Sequence, residues 1–426
     1  MALTIAPPVL QDPLHKQWLF RTRPLLVPVF ALGVWLAYGS WVLPLFRSVL
    51  WGNLRWALLV VLAGQGAVEI WRWGGATPLS PPIIGFVLFS AATFASVTYS
   101  LIPLLSLYKG VAFLLGLVAL VFGLGLRHRE APQSWLRLLA TANLIIVATS
   151  ILLLPLAIGY DSGFFRGIFV NPNSLGSSLA LTFPALLWFR EQLLRDAPLL
   201  FRSKIITLVV VADVLLIFMS RSRSSLIATA VVLVLYASLR ASRLAWTVVY
   251  GVVILLLASP SAASQVGRDA AFKGRSVDAA FETRIGQFDA TLNAAKSSPI
   301  TGYGFGTSAG DTEWDGSLSS ELVGREKANA YLALVEEVGL VGAVPMIAGL
   351  MAALWIGFRE SRRLRWRGDG TTAALFITLA AGIANMNFEA WLTSIGSFEG
   401  FIFWATMGVF LMSTQVSVRR LVPSSA

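Results

Sequence analysis

The residues of this chain best suited to chemistry are basic side chains set where apolar runs meet polar turns. Ser220-Arg221-Ser222-Arg223-Ser224-Ser225 places two arginines between two closely spaced apolar runs. Arg166 and Lys109 are predicted near the same face. One arginine at the end of a span can simply snorkel toward lipid headgroups. Several converging on one face suit a dianionic phosphate or pyrophosphate, because a planar guanidinium grips such oxygens in pairs. More arginines, Arg268, Arg275, Arg284 and Arg325, lie in the longest polar segment, residues 259–327, beside acids that include Glu321 and Glu326.

Other chemistries are closed off by composition. The chain has no cysteine, which excludes thiolate catalysis, disulfides and Cys-zinc sites. Its two histidines, His15 and His128, lie in the N-terminal tail and a basic loop, so no histidine-rich metal site can form. We expect no metal and no cofactor. Gly302-Tyr303-Gly304-Phe305-Gly306 lacks a following Gly-Lys-Ser/Thr and a βαβ setting, so it is no nucleotide loop. It reads as a tight turn that projects aromatic side chains. Asn171-Pro172-Asn173-Ser174 opens a helix: Pro172 stiffens its start and Asn173 or Ser174 can cap it. A helix start of this kind also suits an anion.

The elements that must carry these groups are membrane helices. Of 426 residues, 56% are hydrophobic and only 13% charged, and the mean hydropathy is +0.72. Apolar runs recur throughout, which predicts an all-α integral membrane protein and not a barrel. We expect about twelve helices, near residues 25–46, 56–71, 83–99, 108–126, 136–158, 174–189, 205–219, 226–239, 246–258, 330–358, 372–392 and 395–414. The expected parts are a cytoplasmic tail (1–24), nine spans (25–258), a large extracytoplasmic loop (259–329), three further spans (330–414) and a cytoplasmic tail (415–426). Residues 277–296 carry apolar side chains at helical spacing (Ala280, Phe281, Ile285, Phe288, Leu292, Ala295), which predicts an amphipathic helix inside that loop. No cleaved signal peptide is evident at the N-terminus.

The net charge of +11 points to topology and not to nucleic acid. Basic residues fill alternate short loops, from Arg21 and Arg23 through Arg127, Arg190, Arg240 and Arg363 to Arg419, which puts both termini in the cytoplasm. Charges expected inside spans are Arg55, Glu69, Asp213, Glu336, Glu337, Glu389 and Glu399. Each would cost about 2.5–3.5 kcal/mol at mid-bilayer unless it faces the bundle interior, water or a partner. Arg55 and Glu69 read as interfacial; Asp213, Glu389 and Glu399 read as interior partners for an arginine.

Taken together, three stretches resemble the O-antigen ligase and polymerase superfamily of bacterial membrane proteins. They are Arg166-Gly167-Ile168-Phe169 running into Asn171-Pro172-Asn173; Ser222-Arg223-Ser224-Ser225; and Arg284, Phe288, Pro299, the glycine run, Asn329-Ala330-Tyr331-Leu332 and residues 336–342. The resemblance implies a GT-C-like, metal-independent glycosyltransferase of the bacterial inner membrane, facing outward. Its donor would be a glycan on undecaprenyl diphosphate and its acceptor a glycan or lipid-glycan. Arg223 and Arg284, with Arg166, would hold the diphosphate, while Asn173, Tyr303, Asn329 and Tyr331 would bind substrate or shape the site. The ligases carry a histidine just before the asparagine that is 329 here, and this chain has Ala328. That favours a polymerase or a transferase with another base, for which Glu326, and behind it Glu321, are the candidates. The competing reading is a multi-span transporter of a small anion or solute, which the intramembrane carboxylates would suit but no inverted repeat supports.

Overall fold

The computed structural model describes residues 28–37, 39, 49–72, 80–196, 200–240, 243, 246–247, 249–250, 277–311, 327–364 and 370–419. The elements are α1 (Pro28–Ala37), α2 (Val49–Arg72), α3 (Pro81–Ala95), α4 (Pro103–His128), α5 (Pro132–Leu153) and α6 (Pro172–Asp196). They continue with α7 (Leu200–Met219), α8 (Arg223–Arg240), α9 (Val277–Ser297), α10 (Ala330–Leu364), α11 (Thr371–Asn385) and α12 (Phe398–Arg419). Proline opens α3, α4, α5 and α6, where its missing N–H costs nothing and its fixed φ suits the first turn. A short hairpin, β1 (Tyr160–Asp161) and β2 (Phe164–Phe165), joins α5 to α6. Ser162 (φ 50°) and Gly163 (φ 82°) form its turn, both in the left-handed region that a two-residue hairpin needs.

Among the described residues the protein is all-α apart from that hairpin, and six helices there are long and apolar enough to cross a membrane: those within α2, α3, α4, α5, α8 and α10. Shorter apolar helices are α1, α11 and the first 17 residues of α12, Phe398–Thr414. The twelve spans expected from the sequence are therefore matched in kind and not in number among the described residues. Most of the expected helix at 246–258 and residues 259–276 and 312–326 of the loop lie outside the described residues, as do both tails except for the stretch up to Arg419. Within the loop, the amphipathic helix is present as α9, one residue longer than expected.

Helices α6 and α12 form the centre. Residues 175–188 and 398–414 are buried without a break, as expected for helices apolar on every side. Trp404 on α12 meets Phe86 and Phe113 edge-to-face at 5.0 and 5.5 Å. Peripheral helices show leucine and valine outward, as with Leu208 and Leu215 on α7 and Val60 on α2. A lipid surround accounts for that exposure, since no water-facing role suits an apolar row. Between Leu117 and Leu124, α4 widens to a π-helix where it passes α2, and a Cβ on Gly66 would fall 2.5 Å from the Val118 carbonyl oxygen. Small residues there let two backbones touch, the usual device of membrane helix pairs.

Two expectations are corrected by element ends. Helix α11 stops at Asn385 and α12 begins at Phe398, so Glu389 sits on the turn between them and not in a span. Apolar residues continue through that turn (Met386, Trp391, Leu392, Ile395), which is why periodicity ran past the true end. The cap of α6 is Asn171, whose Oδ1 accepts from the Ser174 N–H at 2.8 Å, and not Asn173 or Ser174. With Pro172 as the first helical residue, the capping position falls one place earlier.

Helix α10 is broken at Gly339 (φ 59°, ψ −172°), a conformation open in practice only to glycine. A Cβ at this position would meet the Ile300 carbonyl oxygen at 2.0 Å. Gly339→Ala should therefore destabilise the protein by more than the roughly 1–3 kcal/mol of backbone strain alone. Thermal unfolding in detergent checks this, with Gly286→Ala, in open space on α9, as the silent comparison. A Gly339→Ala protein as stable as wild type would show that the break is not required.

Candidate active site

Six segments meet at one end of the bundle: the α3–α4 connection, the β-hairpin, the α7–α8 turn, residues 299–311, the start of α10, and the α11–α12 turn. The break in α10 organises the first contacts. It frees the carbonyls of Glu336 and Glu337 and the N–H groups of Leu340 and Val341. Tyr303 N–H and Gly304 N–H donate to the two carbonyls at 2.9 Å each, while Pro299 and Ile300 carbonyls accept at 2.8 and 3.2 Å. The glycine run is thus a backbone plug for a broken helix. Phe305 carries the plug inward, packing at 5.8 Å from Phe89 and 6.3 Å from Phe113. Its N–H donates to Ser96 Oγ and its carbonyl accepts from Ser106 Oγ.

Charges reinforce the plug. Glu336 Oε1 accepts from Ala309 N–H at 3.1 Å, and Glu337 Oε2 accepts from Gly306 N–H at 2.9 Å. Lys327 Nζ lies 2.6 Å from Glu337 Oε1 and 3.9 Å from Glu336 Oε2, and also donates to the Thr307 carbonyl. Lys109 donates to the Gly306 carbonyl at 2.9 Å, close enough to feel both Glu337 and Lys327. Two cations thus balance two carboxylates in a buried group. Lys327 had no assigned role in the sequence reading; its place just before the Ala328-Asn329 pair was the available signal.

The α11–α12 turn is held by ring and guanidinium N–H donors. Trp35 donates to the Ile395 carbonyl, Trp404 to that of Leu392, Trp391 to Asn385 Oδ1, and Arg55 to the Gly396 carbonyl. Asn385 in turn donates to Ser177 on α6 at 3.1 Å. Glu389, on this turn, accepts from Ser224 Oγ at 3.4 Å, beside Arg223 at the start of α8. Glu399 lies among Ser174, Ser397 and Glu389. A cavity of about 30 Å³ opens between the start of α10 and this turn, lined by Lys327, Ala330, Ala333, Glu337, Ala390 and Thr393 among others.

The sequence candidates fall as follows. Asn329 caps α10: its Oδ1 accepts from the Tyr331 and Leu332 N–H groups at 2.9 Å, and its Nδ2 donates to the Asn387 carbonyl. Tyr331 donates to the Ile383 carbonyl at 2.8 Å, so it ties α10 to α11 while Asn329 ties it to the turn that follows. Tyr303 sits in the plug, half-buried. Arg166 donates to the carbonyls of Ile158 and Val170, bracing the hairpin. Arg221 takes a left-handed φ of 49° and lies over the Phe164 ring at 5.6 Å. Asn173 is half-buried in the first turn of α6, at this end. Arg223 is at the site; Arg284 lies on α9 with its side chain outside the described part, and Glu321 and Glu326 lie outside the described residues. Of the apolar row read along α9, Ala295 is buried, but Phe288 is 43% exposed, because Thr291 and Ala294 take the covered face. Asp213 is not an arginine partner: deep in the bundle it accepts from Asn143 Nδ2 at 2.9 Å, which also donates to Thr182.

Fold and site together define an integral membrane protein of helices with a charged, polar centre at one end. Residues 208–347, about a third of the chain, match the family model described as O-antigen ligase. The match runs from α7 across the Arg223 turn, α9 and the glycine plug into α10, and it supports the resemblance to the O-antigen ligase and polymerase superfamily. No curated protein matches the chain. Over that third of its length the chain is accordingly similar to O-antigen ligases.

The buried ion pair gives a stability test. Glu337→Gln or Lys327→Met each leaves the buried four-charge group one charge out of balance, which should cost up to about 3–5 kcal/mol. The double variant should lose clearly less than the two single losses added together. Simple additivity in thermal unfolding would mean the pair does not hold the plug.

Proposed function

We propose that the protein transfers or polymerises oligosaccharide units carried on undecaprenyl diphosphate, at the outer face of the bacterial cytoplasmic membrane. An acceptor hydroxyl attacks the anomeric carbon, and the lipid diphosphate leaves. Arg223 and Arg284 hold the diphosphate, aided by Arg166, and stabilise the charge that grows on it as the bond breaks. Both termini are cytoplasmic, and the segment with the glycine plug faces out. The observation that carries this reading is the meeting of the Arg223 turn, the Asn329 start of α10 and a half-buried carboxylate at one end, largely within the O-antigen ligase match. The transporter reading has the Asn143–Asp213 pair in its favour, but the charged groups concentrate at the end of the bundle and not at its middle.

Lysine keeps the charge of arginine and loses its fork. In a strain lacking the gene, Arg223→Lys and Arg284→Lys should each cut polymer formation at least tenfold and cause lipid-linked units to accumulate. Arg221→Lys, whose parent stacks on Phe164, should restore normal glycan length. Normal length from both of the first two variants would leave those arginines a structural role only.

Topology is open to a direct test because the chain has no cysteine. A single cysteine at Gly310, in open space beside the plug, should react with a membrane-impermeant maleimide applied from the periplasmic side. Reaction only after the inner membrane is opened would place the site inside and remove this function.

A further inference from the structure

We propose that Glu389 is the general base of the transfer, in the role that the ligase pattern gives to a histidine at position 328. The inference rests on the glycosyl-transfer reading above and names a side chain that hydropathy alone would bury in a span. Its placement carries the argument. Because α11 ends at Asn385, Glu389 lies on a connecting turn at the charged end of the bundle, half-buried and not sealed in the core.

One contact of Glu389 and two of its turn locate it between the halves of the reaction. On one side Ser224 Oγ donates to Glu389 Oε1 at 3.4 Å, and the preceding residue is Arg223, assigned to the leaving diphosphate. On the other side Asn329 Nδ2 donates to the Asn387 carbonyl at 2.9 Å and Ala330 N–H to that of Met386 at 3.0 Å. The turn that bears Glu389 is therefore the neighbour of Ala328, whose methyl group offers no base. A cavity lined by Lys327, Ala330, Glu337, Ala390 and Thr393 reaches the residue next to Glu389, and its roughly 30 Å³ fits a water or one hydroxyl. The turn is fixed by Trp35, Trp391, Trp404 and Arg55, so the carboxylate sits on a rigid support, as a base should.

The step balances without further reagents. The acceptor oxygen forms a bond to the anomeric carbon as its proton passes to Glu389. The carbon–oxygen bond to the diphosphate breaks, and its electron pair leaves with the phosphate oxygen held by arginine. The protonated carboxyl then releases its proton to external water. Glu399, with Ser174 and Ser397, is the charged neighbour on α12. The bland alternative is that Glu389 merely braces the start of α8 through Ser224, and that role predicts lost stability and not lost turnover.

The test uses the full-length protein in nanodiscs. Its donor is the lipid-linked oligosaccharide extracted from cells lacking the gene, and free undecaprenyl diphosphate is the binding probe. Glu389→Gln should lower kcat by about 10²–10⁴-fold, the usual contribution of a positioned base. Affinity for undecaprenyl diphosphate and the thermal midpoint should stay near wild type. Glu389→Asp should recover part of the rate, and Glu326→Gln and Glu321→Gln should lose less than tenfold. Turnover by Glu389→Gln within tenfold of wild type overturns the assignment, as does loss of probe binding and stability together without rescue by Asp. A wild-type protein that leaves the donor unreacted would overturn the proposed function as well, which separates the two failures.

Discussion

The structure depends on the exchange of backbone hydrogen bonds between the break in α10 and the turn at 299–304. A helix interrupted inside a membrane protein leaves carbonyl and N–H groups that lipid cannot satisfy, at several kcal/mol each. Here each freed group named above finds a partner on the plug, so the break becomes a joint. Gly339 permits the turn of the backbone, Gly302 packs against the Glu336 and Glu337 carbonyls, and the two glutamate side chains reach onward to the Ala309 and Gly306 N–H groups. Loop and helix therefore define each other's position. Neither could shift without orphaning polar groups in a region poor in water.

The same logic holds the second half of the site. A connecting turn with apolar residues and a glutamate has no regular ladder to fix it, yet four side-chain donors from α1, α2, α12 and the turn itself reach it. Tryptophan suits the task because its large ring fills the core while its single N–H must find an acceptor. The carbonyls of a short turn supply those acceptors. Burial of Trp35 and Trp404 thus specifies where the turn lies.

Much of this was legible in sequence, and the failures share a cause. Pro172 marked one helix start, the glycine run announced a turn and not a phosphate loop, and spacing gave α9. What could not be read were contacts between distant positions. Trp35 and Ile395 are 360 residues apart, and nothing local says that one stops the helix near the other. Glu389 looked like a span residue because Met386, Trp391, Leu392 and Ile395 keep an apolar character through the turn; only Asn385 and Gly396 hinted at a stop. Asp213 looked like half of an ion pair, since the sequence does not show that Asn143 faces it. The widening of α4 follows from close backbone contact with α2, which hydropathy does not encode.

The distribution of charge ties fold to chemistry. Ionised groups are expensive in hydrocarbon, so a membrane enzyme that acts on a lipid-borne anion must keep its charges where the substrate's own charge lies, at the headgroup level. Helices α6, α8, α10 and α12 all begin at the charged end, and each brings the positive end of its dipole there. Glu399 in the first turn of α12 and the Asn329 cap on α10 use part of that field. Arg223, at the first position of α8, lies next to Ser224, which contacts the α11–α12 turn. A field built from helix ends and rigidly held side chains needs no rearrangement as negative charge develops on a departing phosphate, and it is strongest where water is scarce. On the transferase reading, an anion's place is set by helix ends as well as by side chains.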